Sequence, residues 1–566
     1  LAERFAAVAA AQPSRPAVRD AAGEWSYAQL QAQADALAAR LAAAGARGRV
    51  ALLLGHDRVM VAAVLGTLRA GCAYVPLDPY APPARQRRIL AASGATAVVV
   101  DAPRLAAAGW LQDCGLPLLV AEAVADPALA PPPLPQDPEA EAYLLFTSGS
   151  TGEPRAVSQS HAHVLGLVGS WSAQLGIGAQ DRLGLFSGYG YDAAVQDLFG
   201  ALLNGATLHP LDLRGGLSAP ELVDRIARER LTLLHFTPTV YRYLFGGRMS
   251  CDQNLAAVRL VVLGGEEARR SDLELFRLRF RRGTRFVNGL GLTECSTVLQ
   301  YFADHDTRVL GERLPVGRPV PGVSLRLAEG GWQGAVQIDS PWLAPGHGPW
   351  YRSGDRLRRL PDGQWLHVGR EDRQLKLRGQ RIDPAEVEAV LLADPLVREA
   401  AVLLVEVQGE ALLAAYVVAD DFDAAATRAR LRRQLPEFMV PGLFFPLAEL
   451  PRKANGKLDA AGLPVAGRPA VAAVAARSDI ERQLLELWCA VLGRDGIGIE
   501  DDFFALGGHS LLATRLIARV RDAFALELPL LALFEAPTIA GMAQRLAAMA
   551  PATTLPPIRR LPRSPQ

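Results

Sequence analysis

Two stretches of this sequence carry residue types and spacings that can do chemistry. The first is Asp501-Asp-Phe-Phe-Ala-Leu-Gly-Gly-His-Ser-Leu-Leu512. Two glycines free the backbone just before Ser510, and Leu512, Leu516 and Val520 then recur at helical spacing. The serine therefore opens a helix with one buried face. A hydroxyl at a helix N-terminus lies in positive potential, which suits it to carry a phosphodiester. Capping a helix is the commoner use of a serine in that place. The second stretch is Tyr143-Leu-Leu-Phe-Thr-Ser-Gly-Ser-Thr-Gly-Glu-Pro-Arg155. It sets a hydroxyl- and glycine-rich loop directly after an apolar, strand-like run. Hydroxyls and free backbone N–H groups can surround anionic oxygens, and glycines allow close approach. No Gly-Lys-Ser/Thr follows, so this is not a Walker A loop.

The elements that must position these groups are legible in outline. The chain has 566 residues, room for three or four domains, and half of them are hydrophobic. Net charge is +1, with no basic block or basic-aromatic stripe, so nucleic acid is not an expected partner. Five cysteines are scattered without a CxxC pair, which fits a reducing cytosol and argues against disulfides or zinc. The apolar stretch from Val50 to Val75 is broken by His56, Asp57, Arg58 and Arg69, so no membrane span is expected. Leu1 in place of Met and the Pro/Arg-rich run Pro556–Gln566 read as the ends of a piece of a longer chain.

The first ~370 residues alternate short apolar runs with helical patterns, the sign of α/β layering. Strands are expected at Val50–Leu54, Ala97–Val100, Tyr143–Phe146, Leu260–Leu263 and Phe286–Val287, and a helix at Tyr27–Ala43. Residues 131–138 read as a stiff exposed connector. A second unit begins near Gly369, with Leu375 and Leu377 alternating as in a strand. Asp383-Pro384 with Glu386 then gives an N-cap, a proline at N1 and an acid at N3. The stretch from Pro464 to Arg477 is Pro/Ala/Gly-rich and reads as a linker. Residues 479–548 hold three or four helices around Leu484, Leu487, Trp488, Val491, Phe503, Leu512, Leu516 and Phe534, a small helical bundle. The expected division is 1–369, 370–463, a linker 464–478, 479–548 and a tail 549–566.

The string around Ser510 closely resembles the carrier-domain motif of nonribosomal peptide synthetases, whose serine bears 4′-phosphopantetheine. The 143–155 loop resembles the ATP loop of adenylate-forming enzymes. That family usually ends the loop Pro-Lys-Gly, where this chain has Pro154-Arg155-Ala156. Further motifs follow in the family's order. They are Leu68–Asp78 (like LKAGxAYVPLD), Tyr351-Arg-Ser-Gly-Asp355 (like YxTGD), Gly369–Gly379 (like GRxDxQVKIRG), Leu435–Pro441 and Asn455–Asp459. The resemblance implies a large adenylate-forming N-terminal α/β subdomain, a small mobile α+β C-terminal subdomain and a helical-bundle carrier domain.

It also implies roles. Lys457 would bridge the carboxylate and the phosphoryl and ribose oxygens, Glu294 would bind Mg²⁺ and Thr293 would touch the α-phosphate. Asp355 would accept from the ribose hydroxyls, assisted by Arg370. Thr147, Ser148, Gly149, Ser150, Thr151 and Gly152 would hold ATP phosphates, with Asn288, Gly289 and Leu290 at the nucleotide. Leu290 stands where the family has a tyrosine that stacks on adenine, so it can cover the base by apolar contact only. Asp372 takes the hinge position about which the small subdomain rotates between adenylation and thiol attack. That rotation would withdraw Lys457 and present Lys376 to Gly379, where the pantetheine arm enters.

Asp192, in Tyr191-Asp-Ala-Ala-Val-Gln-Asp197, would pair with a substrate α-ammonium, which separates amino acids from fatty and aryl acids. The remaining specificity positions are Ala193, Gln196, His235, Val262, Gly264, Gly289, Thr297 and Val298, with Lys457. They resemble valine-activating pockets, apart from Gln196 and His235. Those two either hydrogen-bond each other and narrow the pocket, or contact a polar side chain such as threonine's. The expected partners are an amino acid and a phosphopantetheinyl transferase. Downstream synthetase domains and a small helper protein are left open. An acyl- or aryl-acid ligase fused to a carrier, and a carrier scaffold with a degenerate adenylation domain, stand as alternatives.

Overall fold

The computed structural model describes residues 1–122, 128–148, 154–215, 217–247, 254–377, 379–407, 410–452, 458–464, 474–493, 495–504, 506, 508, 510–524, 526, 528, 532–533 and 536–549. Lys457, Gly149, Ser150, Thr151, Gly152 and Phe534 lie outside them, as does most of the expected linker. The chain divides into a larger compact unit, Leu1–Leu213 with Ala219–Ala466, and a smaller one that holds Gly467–Gln566.

The larger unit is built on two mostly parallel sheets. One has six strands in the order Leu118–Val120, Ala97–Val100, Arg49–Leu53, Ala73–Pro76, Glu141–Thr147 and Arg155–Ser160, with only the last pair antiparallel. The other has nine strands. Arg285–Leu292, Leu260–Leu263, Leu233–Phe236, Arg182–Leu185, Thr207–Pro210 and Pro16–Asp20 run parallel in that order, and antiparallel strands close both edges. Their central strands are buried along their whole length, as near-continuous Val/Leu runs require. The helix Tyr27–Ala43 forms as expected, because Ser26 and Gln29 make a reciprocal capping box at its start. A separate antiparallel sheet, Ser324–Leu327, Gln333–Asp339, Tyr351–Arg359 and Trp365–Arg370, carries Asp355 and Arg370 on paired strands.

After Arg370 comes a two-stranded hairpin, Leu375–Leu377 with Gln380–Ile382. The helix Pro384–Leu392 follows, its first turn capped by the Asp383 side chain and begun by Pro384. A three-stranded sheet, Val397–Val407, Glu410–Ala419 and Leu443–Leu447, and the helix Ala424–Gln434 complete this part. Its core of Leu377, Ile382, Val387, Val402, Leu413 and Leu431 is separate from that of the large sheets.

In the smaller unit three helices are described, Asp479–Leu492, Ser510–Phe524 and Ile539–Met549. Ser510 is the first residue of its helix, where the leucine spacing puts it. Leu484, Trp488, Val491, Phe503 and Leu516 are buried together, with Leu487 and Leu512 packed at the margin. Trp488 is fully buried and meets the Phe503 ring edge-on, with centroids 5.1 Å apart. Trp488→Ala is expected to cost about 3–5 kcal/mol, mostly as cavity, and denaturant unfolding of the carrier signal checks it. Among the described residues no helix is long and apolar enough to cross a membrane.

Candidate active site

A cleft of about 170 Å³ opens between the two large sheets and the hairpin that follows Arg370. Thr147, Ser148, Asp192, Thr293, Arg370, Lys376 and Gly379, all singled out from the sequence, line it together, joined by Tyr191, Leu292 and Arg381. Gln196, His235, Val262, Gly264, Gly289, Thr297 and Val298 are not on that wall. They sit on the helix that begins at Asp192 and on or beside four adjacent strands of the nine-stranded sheet.

Asp192 is the first residue of the helix Asp192–Leu202, so its carboxylate meets the free backbone N–H groups of that helix's first turn. It faces the cleft yet is packed round by protein. Burial raises its carboxyl above the usual range, partly opposed by the N–H groups of Asp192 and Ala193, with His235 a minor influence. A cation delivered into the cleft would reverse that shift.

Asp355 is fully buried. Its Oδ1 is held by Arg370 Nη1 at 2.7 Å and His367 Nε2 at 3.1 Å. Burial opposes the charge, but the His367 contact, Lys376 and Arg370 outweigh it and hold the carboxyl well below its usual range. Oδ2 has no hydrogen-bond partner among the described residues. A buried ionised oxygen left unpaired is costly, so this atom fits a donor from a ligand such as a ribose hydroxyl.

Arg370 is fully engaged. Besides Asp355 it donates to both Asp372 oxygens at 2.7 Å, to Gln374 Oε1 at 3.0 Å and to the Ser353 carbonyl at 2.9 Å. Asp372, the hinge candidate, is thus tied to the strand that precedes it and is not an isolated surface acid.

Glu294 is also fully buried. Arg381 Nη1 lies 3.1 Å from each of its oxygens and Tyr351 donates its hydroxyl at 3.1 Å. Burial alone would raise this carboxyl, yet Arg381 brings it below the ordinary value. Among the described residues no group of three His, Cys, Asp or Glu could hold a metal ion. A magnesium ion here would therefore rest on Glu294 plus substrate phosphates and water, the usual manner of Mg²⁺ at nucleotides. An ionised carboxylate next to Thr293 and Arg381, which line the cleft, fits that ion once Arg381 is drawn aside.

Lys376 projects into the same space. Desolvation lowers its ammonium, Asp355 opposes the shift, and Arg370 and Arg381 add to it. Gly379, at φ 76°, closes against Thr237, where a Cβ would come 2.3 Å from the threonine methyl. Ser148 Oγ donates to the Arg381 carbonyl at 2.8 Å. The hairpin is thus seated in the cleft, and only glycine permits the approach. Gly379→Ala is expected to leave adenylation within about twofold and slow loading of the carrier ~10-fold, as ~1–3 kcal/mol of backbone strain implies. Separate pyrophosphate-exchange and loading assays check it.

Two expectations change. Gln196 and His235 do not bond each other. Gln196 Nε2 donates to Thr297 Oγ1 at 2.7 Å, and His235 Nδ1 lies 3.0 and 3.2 Å from the Asp197 oxygens. The ring and the amide sit on different elements, and each meets a nearer partner. Leu290 packs into an apolar core with Leu292, Val298 and Val336, while Leu292 also reaches the cleft wall. Asn288 Nδ2 donates to the Pro315 carbonyl at 2.7 Å. Arg381, Tyr351, His367 and Asp197 were missed by the sequence reading. Arg381 lies just past the Gly369–Gly379 motif, Tyr351 begins another and Asp197 ends the Tyr191–Asp197 string, but nothing local marks His367.

Residues 5–346 match the family described as AMP-binding enzyme, 386–457 its C-terminal domain, and 482–546 the phosphopantetheine attachment site. Surfactin synthase subunit 3 of Bacillus subtilis is 32% identical over 95% of this chain and 44% of its own length. A probable non-canonical nonribosomal peptide synthetase of Salinispora arenicola, CymA, is 35% identical over 99% of this chain and 7% of its own. The chain thus spans less than half the length of these curated relatives. The solved structure of holo-PA1221, a synthetase protein with adenylation and carrier domains bound to a vinylsulfonamide inhibitor, superposes with a TM-score of 0.77 at 26% identity. It covers 97% of this chain and 96% of that one. Adenylation domains of this kind use ATP and Mg²⁺, and the attachment-site domain carries 4′-phosphopantetheine. The chain belongs to the AMP-binding enzymes, as an adenylating ligase followed by a carrier domain in the manner of nonribosomal peptide synthetases.

Proposed function

We propose that this chain joins the carboxylate of a small branched amino acid to the α-phosphate of ATP, releases pyrophosphate, and passes the aminoacyl group to its own carrier at Ser510. The observation that carries the reading is the shared cleft. Asp192, a half-buried acid packed round by protein and suited to an ammonium, faces the same space as the hydroxyls of Thr147, Ser148 and Thr293. Asp355 offers its unpaired oxygen to the ribose, with Arg370 fixing its orientation. Glu294 would hold the magnesium, which neutralises phosphate charge when bound. Lys457 takes the bridging role between carboxylate and phosphate. The phosphopantetheine arm supplies the thiol for the second step, and the Lys376–Gly379 face of the seated hairpin borders its approach. The likeness of the specificity positions to valine pockets makes a side chain of valine's shape the first candidate. The scattered cysteines, with no CxxC pair, support a cytosolic setting.

The test is exchange of labelled pyrophosphate into ATP across the twenty amino acids, salicylate and a fatty acid. Amino-acid-dependent exchange is expected. Exchange with an acid lacking an amine would remove Asp192 from substrate selection. No exchange with any of them, in folded protein, would shift the weight to a carrier scaffold with a degenerate adenylation domain.

A further inference from the structure

We propose that the amino-acid pocket receives a hydroxyl on the substrate side chain at His235 Nε2, and so favours the hydroxyl-bearing counterpart of valine over valine itself. The inference rests on the reading that Asp192 takes the α-ammonium and that the substrate side chain reaches behind the cleft wall toward His235, which lies near enough to Asp192 to influence its charge, and it narrows the side-chain class at the same site.

Gln196 lies one turn beyond Asp192 on the same helix, and Asp197 follows it. Asp197 is fully buried and His235 is 7% exposed. The Asp197 carboxylate grips Nδ1 with both oxygens, and the Trp171 ring lies 5.2 Å from the imidazole, centroid to centroid. The ring is therefore fixed in plane and tilt. Its remaining nitrogen turns toward Gly264, where a Cβ, had there been one, would stand 3.8 Å from Nε2. The glycine leaves that nitrogen open to a ligand. Beside this pair, Gln196 donates to Thr297 Oγ1, which leaves the threonine hydroxyl hydrogen for a further acceptor.

These groups are poorly suited to face an isopropyl side chain, because buried polar atoms left without partners are penalised. The carboxylate keeps a proton on Nδ1. Nε2 is then a lone pair in the neutral ring and an N–H donor in the charged one. A hydroxyl both donates and accepts, so it satisfies Nε2 in either state. A methyl satisfies neither, and a carboxylate or ammonium only one. The groups around the ring that bear charge are Asp197, which pairs with it, and Asp192, whose charge the substrate ammonium takes up.

Threonine and valine differ by one hydroxyl for one methyl at equal shape, so comparing their kcat/KM in pyrophosphate exchange isolates this contact. A site built to bond a hydroxyl rejects the analogue without it far more strongly than an apolar pocket rejects an added one. Threonine is expected to exceed valine by ~10²-fold or more in the unaltered protein. His235→Leu should remove most of that ratio, and Thr297→Val, which leaves the buried His–Asp pair intact, should remove part of it. Valine equal to or above threonine in the unaltered protein overturns the proposal while amino-acid activation stands. A ratio unmoved by both variants overturns the role of His235. Exchange only with acids lacking an amine overturns the underlying reading and this inference with it.

Discussion

Ser510→Ala should abolish loading of the carrier while leaving pyrophosphate exchange within about twofold of the unaltered protein. The hydroxyl is the atom that bonds the phosphopantetheine, so its loss is total, whereas the adenylation cleft lies wholly in residues of the larger unit. The helix Ser510–Phe524 starts at this residue, placing it in the positive field of a helix N-terminus, where an attached phosphodiester is stabilised. Just before it Gly508 lies against the ring and carbonyl of Phe503, and a Cβ there would stand 2.3 Å from the ring. Phe503 is itself locked against Trp488. Gly508, two residues before the serine, is therefore pinned to the bundle core. Intact-mass measurement after incubation with a phosphopantetheinyl transferase and coenzyme A reads the first step, and transfer of labelled amino acid reads the second. Retained loading would place the acceptor at another residue.

Asp192→Ala should lower kcat/KM for amino-acid activation by ~10² to ~10⁴. Removing one partner of a buried ion pair costs about 3–5 kcal/mol, because the other charge is left desolvated and unpaired. Here the stranded charge would be the substrate's own ammonium. The same variant should activate a carboxylic acid that has no amine no worse than the unaltered protein does, since the empty site no longer presents a half-buried acid. Titrating both substrate types in pyrophosphate exchange separates a lost ion pair from a general collapse. An equal fall for both would mean that Asp192 supports the fold of its helix and does not read the substrate.

Much of the layering was legible because its determinants are local. Ser26 and Gln29 cap the Tyr27 helix within four residues of sequence, and Asp383-Pro384 begin the next unit's helix in the same way. The runs at Ala97–Val100 and Leu260–Leu263 form strands with the expected bounds. The strand expected at Phe286–Val287 runs on to Leu292. Its Gly289-Leu-Gly291 continuation has weak strand preference by itself and is held by pairing with Ser296–Ala303. The candidate site was legible where a motif brings a residue to the cleft, as at Thr147, Ser148 and Arg370. It was not legible where a partner comes from a distant strand. His367 reaches Asp355 only through sheet register, Arg381 reaches Glu294 from 87 residues away, and Asp197 meets His235 across 38. No local pattern encodes such pairings.

The Arg381–Glu294 contact has a consequence for the direction of the reaction. Both Glu294 oxygens face one guanidinium while the hairpin is seated. As the proposed magnesium ligand, Glu294 cannot serve the ion and Arg381 together. A magnesium ion held by Glu294 would have to compete with Arg381 for the same two oxygens, so while the hairpin is seated Glu294 would be a poorer ligand for an ion that pyrophosphate brings back.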